Sequence, residues 1–300
     1  MTAVSDPTLP ELPAAEVQRL EALFPSRAVA VGEGAWVSVR ECGEPFGLPL
    51  VCLHGIGSGA ASWLETAQLL APRARLIAWD APGYGESTPL PQAVPTGAHY
   101  AQRLQALLDA LQIERCVLVG HSLGALMAAP AALDAARVAA LVLISPAQGY
   151  GAPGREAERA RVHAERMGTL DELGIAGMAA KRSGRLVSEH ASPVARAWVR
   201  WNMARLNDAG YRQAIELLCG GQLLDAVGAL RASRAGLPLT VACGELDVIT
   251  PPAGCALVAQ RGGVPLTPIA RAGHASYVEQ PAAVAALLGR VLDGLNEPGA

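Results

Sequence analysis

Three hundred residues exceed one ordinary domain and fall short of two, and a hydrophobic content of 51% fills a sizeable core and excludes a disordered chain. Aromatic residues make up only 4%, so that core falls to Ala, Leu and Val. Lys and Arg number 24 against 27 Asp and Glu, and the resulting formal charge of −3 gives no electrostatic footprint for nucleic acid, whose phosphates call for clustered Lys and Arg.

In chain order, the opening segment MTAVSDPTLPELPAAE is acidic and Pro-rich, without the basic and apolar stretches of a secretion signal. Residues 1–30 read as an appendage, with helical spacing over 14–24 that Pro25 stops. Beyond it, short apolar runs alternate with longer amphipathic ones. Strands are expected at residues 35–39, 50–53, 76–79, 116–119, 141–144, 239–243 and 266–269, and helices at 61–70, 98–111, 123–136, 253–259 and 282–292. Several strand runs are continuously apolar, as parallel strands covered on both faces require. Alternation of strand and helix means a parallel sheet with right-handed crossovers.

The alternation stops at Gly149 and resumes near Gly236. Between them, residues 155–166, 167–180, 193–206 and 211–224 all read as helices. The expected organisation is an extension over 1–30, an α/β core over 31–148 and 236–300, and a helical lid over 149–235. Such a lid would cover the C-terminal sheet edge, where α/β sheets bind ligands. Cys42, Cys52, Cys116, Cys219, Cys243 and Cys255 form no C-x-x-C pair, and three of them lie inside expected strands. That usage fits buried thiols in a reducing, cytoplasmic setting. No run reaches the roughly 18 apolar residues of a membrane span, so no membrane association is expected.

The strongest local signal is Gly120-His121-Ser122-Leu123-Gly124, which follows one apolar run and opens a helical one. A serine between strand and helix sits on a strained turn that flanking glycines permit, and the helix N-terminus favours a developing oxyanion. Ser122 is therefore the expected nucleophile. Its hydroxyl needs a base. Among the six histidines, His274 follows the last expected strand in Gly273-His274-Ala275-Ser276, on the sheet edge shared with the elbow. His121 reads as a packing residue facing elsewhere, His54 as a support for its own loop, and His99, His163 and His190 as surface residues.

The base in turn needs an acid. Asp247 follows the strand at 239–243 and falls between Ser122 and His274 in chain order; Glu245, in the same turn, is its nearest competitor. Asp80 reads as the brace of a turn. The expected oxyanion donors are the backbone N–H groups of Leu123 and of Ile56, the latter in the glycine-rich run His54-Gly55-Ile56-Gly57-Ser58-Gly59. That run lacks the lysine and the spacing of a phosphate-binding loop.

Taken together, HGIGSGAASW at 54–63, DAPGYGES at 80–87, GHSLG at 120–124, GELD at 244–247 and GHASYVEQP at 273–281 resemble the α/β-hydrolase superfamily. Within it they are similar to the branch of enol-lactone hydrolases, ring-cleavage-product hydrolases, small esterases and haloperoxidase-like enzymes. The resemblance implies the α/β-hydrolase fold: a mostly parallel central sheet flanked by helices, with an inserted all-helical lid. It also implies catalytic roles for Ser122, Asp247 and His274. The ending around His274 is more like that of enol-lactonases and esterases. Carbon–carbon bond hydrolases of the branch typically carry a Trp soon after the His and another residue in place of His121.

The expected activity is acyl transfer to water on a small ester or lactone, with products of aromatic breakdown among the candidates. The partner is then a small-molecule substrate, and no cofactor or metal is implied. Hydrolysis of a carbon–carbon bond and ligand binding without turnover are the alternatives. In the lid, Trp198, Trp201 and Arg205 fall at helical spacing on one face. They form either a packing face, or a pocket wall whose Arg205 pairs with a substrate carboxylate.

Overall fold

The structure, a computed structural model, describes residues 11–296 apart from Phe46 and Ala135. Its strands are β1 (Ser26–Ala30), β2 (Trp36–Cys42), β3 (Leu50–Leu53), β4 (Leu76–Trp79), β5 (Cys116–His121), β6 (Val138–Ile144), β7 (Leu239–Gly244) and β8 (Leu266–Ile269). The helices are α1 (Ala14–Leu23), α2 (Leu64–Leu70), α3 (Gly97–Ala110), α4 (Leu123–Asp134), α5 (Glu156–Arg182), α6 (Pro193–Ala204), α7 (Asp208–Gly220), α8 (Leu223–Ser233), α9 (Pro252–Arg261), α10 (Ser276–Glu279) and α11 (Pro281–Asn296). All eight strands join one sheet in the order β1-β2-β4-β3-β5-β6-β7-β8. β2 is antiparallel to both of its neighbours and the remaining pairings are parallel.

Side chains along the strands alternate between two apolar layers. Val51, Leu53 and Leu118 pack with residues of α3, α4 and α8, whereas Leu50, Cys52, Val117 and Val119 pack with those of α1, α2 and α11. Register then sets the site. Leu53 pairs with Gly120, His121 with Ile144, Ile144 with Ala242, and Gly244 with Ile269. The loops after β3, β5, β6, β7 and β8 therefore leave the sheet along one edge.

Two expected boundaries are corrected. Residues 11–30 are not an appendage: α1 buries Leu20 and Phe24 in the second layer, and β1 extends the sheet. Arg40, itself buried, ties α1 down by donating to the Phe24 carbonyl at 2.6 Å and to Glu21 at 2.7 Å. The opening residues 1–10 lie outside the described residues. The helical insertion is also shorter than 149–235. Its last helix, α8, buries Leu223, Val227 and Leu230 in the core layer and packs on α4 and α9. Amphipathic spacing alone does not say which partner a helix will cover.

Helices α5, α6 and α7 overlie the edge. Gly174, at φ 61°, bends α5 in mid-length. Ser192 caps α6 by accepting from the Ala195 N–H, and Asn207 caps α7 by accepting from the Gly210 N–H. Both ends of α7 meet bare backbone: a Cβ on Gly210 would fall 1.9 Å from the Gly83 carbonyl oxygen, and one on Gly149 would fall 2.1 Å from that of Gly221. All six cysteines are free thiols, five of them buried. Among the described residues, no helix is long and apolar enough to cross a membrane.

Candidate active site

Ser122 stands between β5 and α4 with φ at 52°, a left-handed conformation that a side chain adopts only at a cost of about 1–3 kcal/mol. Its surroundings allow no other path. A Cβ on Gly124 would lie 2.4 Å from the Leu53 carbonyl oxygen, so α4 starts almost in contact with β3. The Ser122 N–H donates to Ile144 at 3.0 Å, and its carbonyl accepts from Ala125 and Ala147. The turn is thus held on three sides while the side chain lines a cavity of about 280 Å³.

His274 lines the same cavity, and its Nδ1 donates to Asp247 Oδ2 at 2.9 Å. Both side chains are almost fully withdrawn from solvent, 5% exposed for His274 and 0% for Asp247. The other carboxylate oxygen, Oδ1, accepts from the N–H groups of Ile249 and Thr250 at 2.8 and 2.9 Å. The Thr250 hydroxyl lies 2.8 Å from Oδ2. Burial alone would raise the Asp247 pKa, but the hydrogen bond and charge of His274 and the Thr250 backbone donor outweigh it and hold the pKa at about 2. With Nδ1 bound to a carboxylate, Nε2 is the histidine nitrogen left to accept a proton. Glu245, by contrast, is exposed.

Ile56 and Leu123 also line the cavity, and among the described residues neither backbone N–H has a hydrogen-bond acceptor. The Ile56 loop is braced from below. His54 Nε2 accepts from the Ala81 N–H, its Nδ1 donates to the Gly55 carbonyl, and Tyr84 donates to the Ile56 carbonyl at 2.9 Å. Asp80 accepts from the Ala60 N–H and the Ser38 hydroxyl. Burial lowers the His54 pKa and keeps its ring neutral.

Sequence reasoning erred on two points here. His121 does not face elsewhere: it lines the cavity, and its Nε2 donates to the His274 carbonyl at 2.8 Å. Burial, then the neighbouring His274, push its pKa down to about 3. Nor does the expected lid face meet the cavity. Trp198 joins the apolar layer of Leu20 and Phe24, Trp201 packs edge-on against it, and Arg205 is exposed over the Trp201 ring. The cavity side of α6 is Val199 and Met203, spaced by four residues. Sequence reasoning also passed over two supports. Thr250, three residues after the acid, carries the position typical of a polar turn. Glu279 accepts from the Gly273 N–H at 2.8 Å and from the Ser188 N–H and hydroxyl, joining the His274 loop to the lid.

A parallel sheet whose central strand ends in a left-handed serine, with an acid–histidine pair delivered from two later strands on the same edge, is the arrangement of an α/β hydrolase. A model of the alpha/beta hydrolase family matches residues 50–287, and the chain belongs to that family. It is similar to the uncharacterized hydrolase YugF of Bacillus subtilis (strain 168), with 32% identity over 131 residues, 44% of this chain and 48% of that protein. The match spans about half the length, or less, of the curated relatives. Among solved structures, the esterase of Thermogutta terrifontis shares 24% identity at a TM-score of 0.73, covering 90% of this chain and 98% of that one. The enol-lactonase of Burkholderia xenovorans LB400 shares 22% identity at a TM-score of 0.74, covering 88% and 99%. At these identities the likeness is one of fold.

Proposed function

We propose that this chain is a serine hydrolase that cleaves a small ester or lactone through an acyl-enzyme on Ser122. The observation that carries the reading is the buried Asp247–His274 pair at 2.9 Å, whose His274 lines the same cavity as the strained Ser122 elbow. Ser122 Oγ attacks the substrate carbonyl carbon while His274 Nε2 takes the hydroxyl proton. The N–H groups of Ile56 and Leu123 receive the negative charge that develops on the carbonyl oxygen. The bond from that carbon to the leaving oxygen then breaks, and His274 returns its proton to the departing alkoxide. Water, deprotonated by His274, next attacks the acyl carbon, the bond to Ser122 Oγ breaks as His274 returns the proton to that oxygen, and the acid leaves. Asp247 stays ionised throughout and holds the imidazolium in orientation.

A cavity of about 280 Å³ suits a compact substrate rather than a long acyl chain. The esterase and the enol-lactonase of the same fold lend support to that class. Six free thiols, five of them buried, support a reducing, cytoplasmic location. The test is labelling by a fluorophosphonate together with hydrolysis of p-nitrophenyl butyrate. Wild-type protein labels and turns over, Ser122→Ala does neither, and retention of labelling in that variant would remove the reading.

A further inference from the structure

The lid side of the cavity is cationic. Arg155, Arg166, Arg182 and Arg185 line it, and among the described residues no Asp or Glu does. In a chain with a net charge of −3, four guanidinium groups on one cavity are a local concentration that the composition does not foretell.

The four differ in what already holds them. Arg155 is engaged: it pairs with Glu158, donates to the Gly149 carbonyl and stacks over Tyr150. Arg166 donates to the Tyr211 hydroxyl at 3.2 Å, a neutral partner, and among the described residues no carboxylate faces it. Arg182 gives one Nη to Glu165 at 2.9 Å, but its Nε–H is buried without an acceptor. Arg185, on the turn that follows α5, has no hydrogen bond or ion pair among the described residues. The buried Arg182 Nε–H left without an acceptor is costly, and like charges around one cavity repel. An oxyanion entering the cavity relieves both, because the guanidinium fork matches a carboxylate in geometry and charge.

We infer that the cavity takes an acyl substrate bearing a second, ionised carboxyl group, held by Arg166, Arg182 and Arg185 while the scissile carbonyl lies at Ser122. This inference rests on the hydrolase reading and names its substrate class. It also moves the anion partner from Arg205, which points away from the cavity, to the α5 side of the lid.

The test compares two esters of one acyl length and one leaving group: mono-p-nitrophenyl adipate, which is anionic, and methyl p-nitrophenyl adipate, which is neutral. Wild-type kcat/KM should favour the anionic ester by roughly ten- to a hundredfold at low ionic strength, the scale of one or two charge-assisted hydrogen bonds. Added salt should shrink that ratio. Arg166→Gln, Arg182→Gln and the exposed Arg185→Gln should each lower it, and the triple variant should bring it close to one. A wild-type ratio near one, or a ratio that all three substitutions leave in place, overturns the inference.

The hydrolase reading fails separately. If the neutral ester is cleaved and Ser122→Ala abolishes that cleavage, the hydrolase stands whatever the ratio. If neither ester is cleaved, free adipate decides: it should raise the melting temperature of wild-type protein and not that of Arg166→Gln/Arg185→Gln, and no wild-type shift overturns the site.

Discussion

Replacing Asp247 with Asn keeps the side chain's shape and removes its charge, and the structure fixes how the amide must sit. Oδ1 faces two backbone N–H groups that cannot turn away, so the Asn carbonyl oxygen takes that place and its NH₂ faces His274. His274 Nδ1 must then accept rather than donate, which moves the ring proton to Nε2, the nitrogen required to receive the Ser122 proton. A base in the wrong tautomer should lower kcat by roughly ten-thousandfold, about 5 kcal/mol of transition-state stabilisation. Stability responds as well. A carboxyl held at about 2 against an ordinary value of 3.8 contributes about 2 kcal/mol above pH 4, lost as the pH falls through about 2. The variant should lack that acid limb.

Kinetics on p-nitrophenyl butyrate at neutral pH, with denaturant melts at several pH values, read both effects. Glu245→Gln, at an exposed position, is the parallel variant and should change kcat by less than about twofold. If Asp247→Asn keeps kcat within about tenfold of wild type, or if Glu245→Gln loses more, the tautomer argument fails.

Ser122→Ala should fold and lose at least roughly a thousandfold in kcat, whereas Ser122→Gly, free of the left-handed strain, should be about 1 kcal/mol more stable than the Ala variant in denaturant melts. His121 sets a second acid limb: its folded pKa of about 3 lies below the ordinary imidazole value of 6.5, so only the unfolded chain gains the proton as the pH falls from 6.5. Between pH 6.5 and 5 wild-type protein should lose about 2 kcal/mol that His121→Gln does not, and equal losses in both would show that another group titrates. Arg205→Ala should cost about 0.5–1 kcal/mol of stability through the lost contact with Trp201 and leave KM for both adipate esters within about twofold; a selective rise for the anionic ester would return Arg205 to the cavity.

The parts of the site that follow strands were legible because parallel strands betray themselves as unbroken apolar runs, and their loops must share an edge. Ser122, Asp247 and His274 fall together in the structure for that reason. β1 was missed because five residues at a sheet edge, with only Val29 of Ser26–Ala30 buried, leave no apolar run to read. Trp198 and Trp201 were misplaced for a different reason. A twelve-residue helix apolar on two faces offers two pocket walls, and only the packing of α6 against α5, α10 and the turns around them decides which face is covered. The arginines of α5 read only as part of a helix, since nothing in their spacing reports that the helix bends at Gly174 and lies over a cavity.

The glycine contacts at the two ends of α7 have an evolutionary consequence. Where two backbones touch with no room for a methyl group, substitution is closed on both sides: Gly83 and Gly210 exclude each other's Cβ, while a Cβ on Gly149 meets the Gly221 carbonyl and one on Gly221 meets Leu126 and the Leu217 carbonyl, a seam that drift cannot loosen one position at a time. α5 is constrained differently at its bend: a Cβ on Gly174 would meet nothing within 4 Å, and only the positive φ of 61° favours glycine there. Variation is thereby channelled into one wall. Descendants of this chain can exchange the side chains of α5 and α6, and so change which substrates they accept, while α7 keeps the roof in place above an unaltered Ser122.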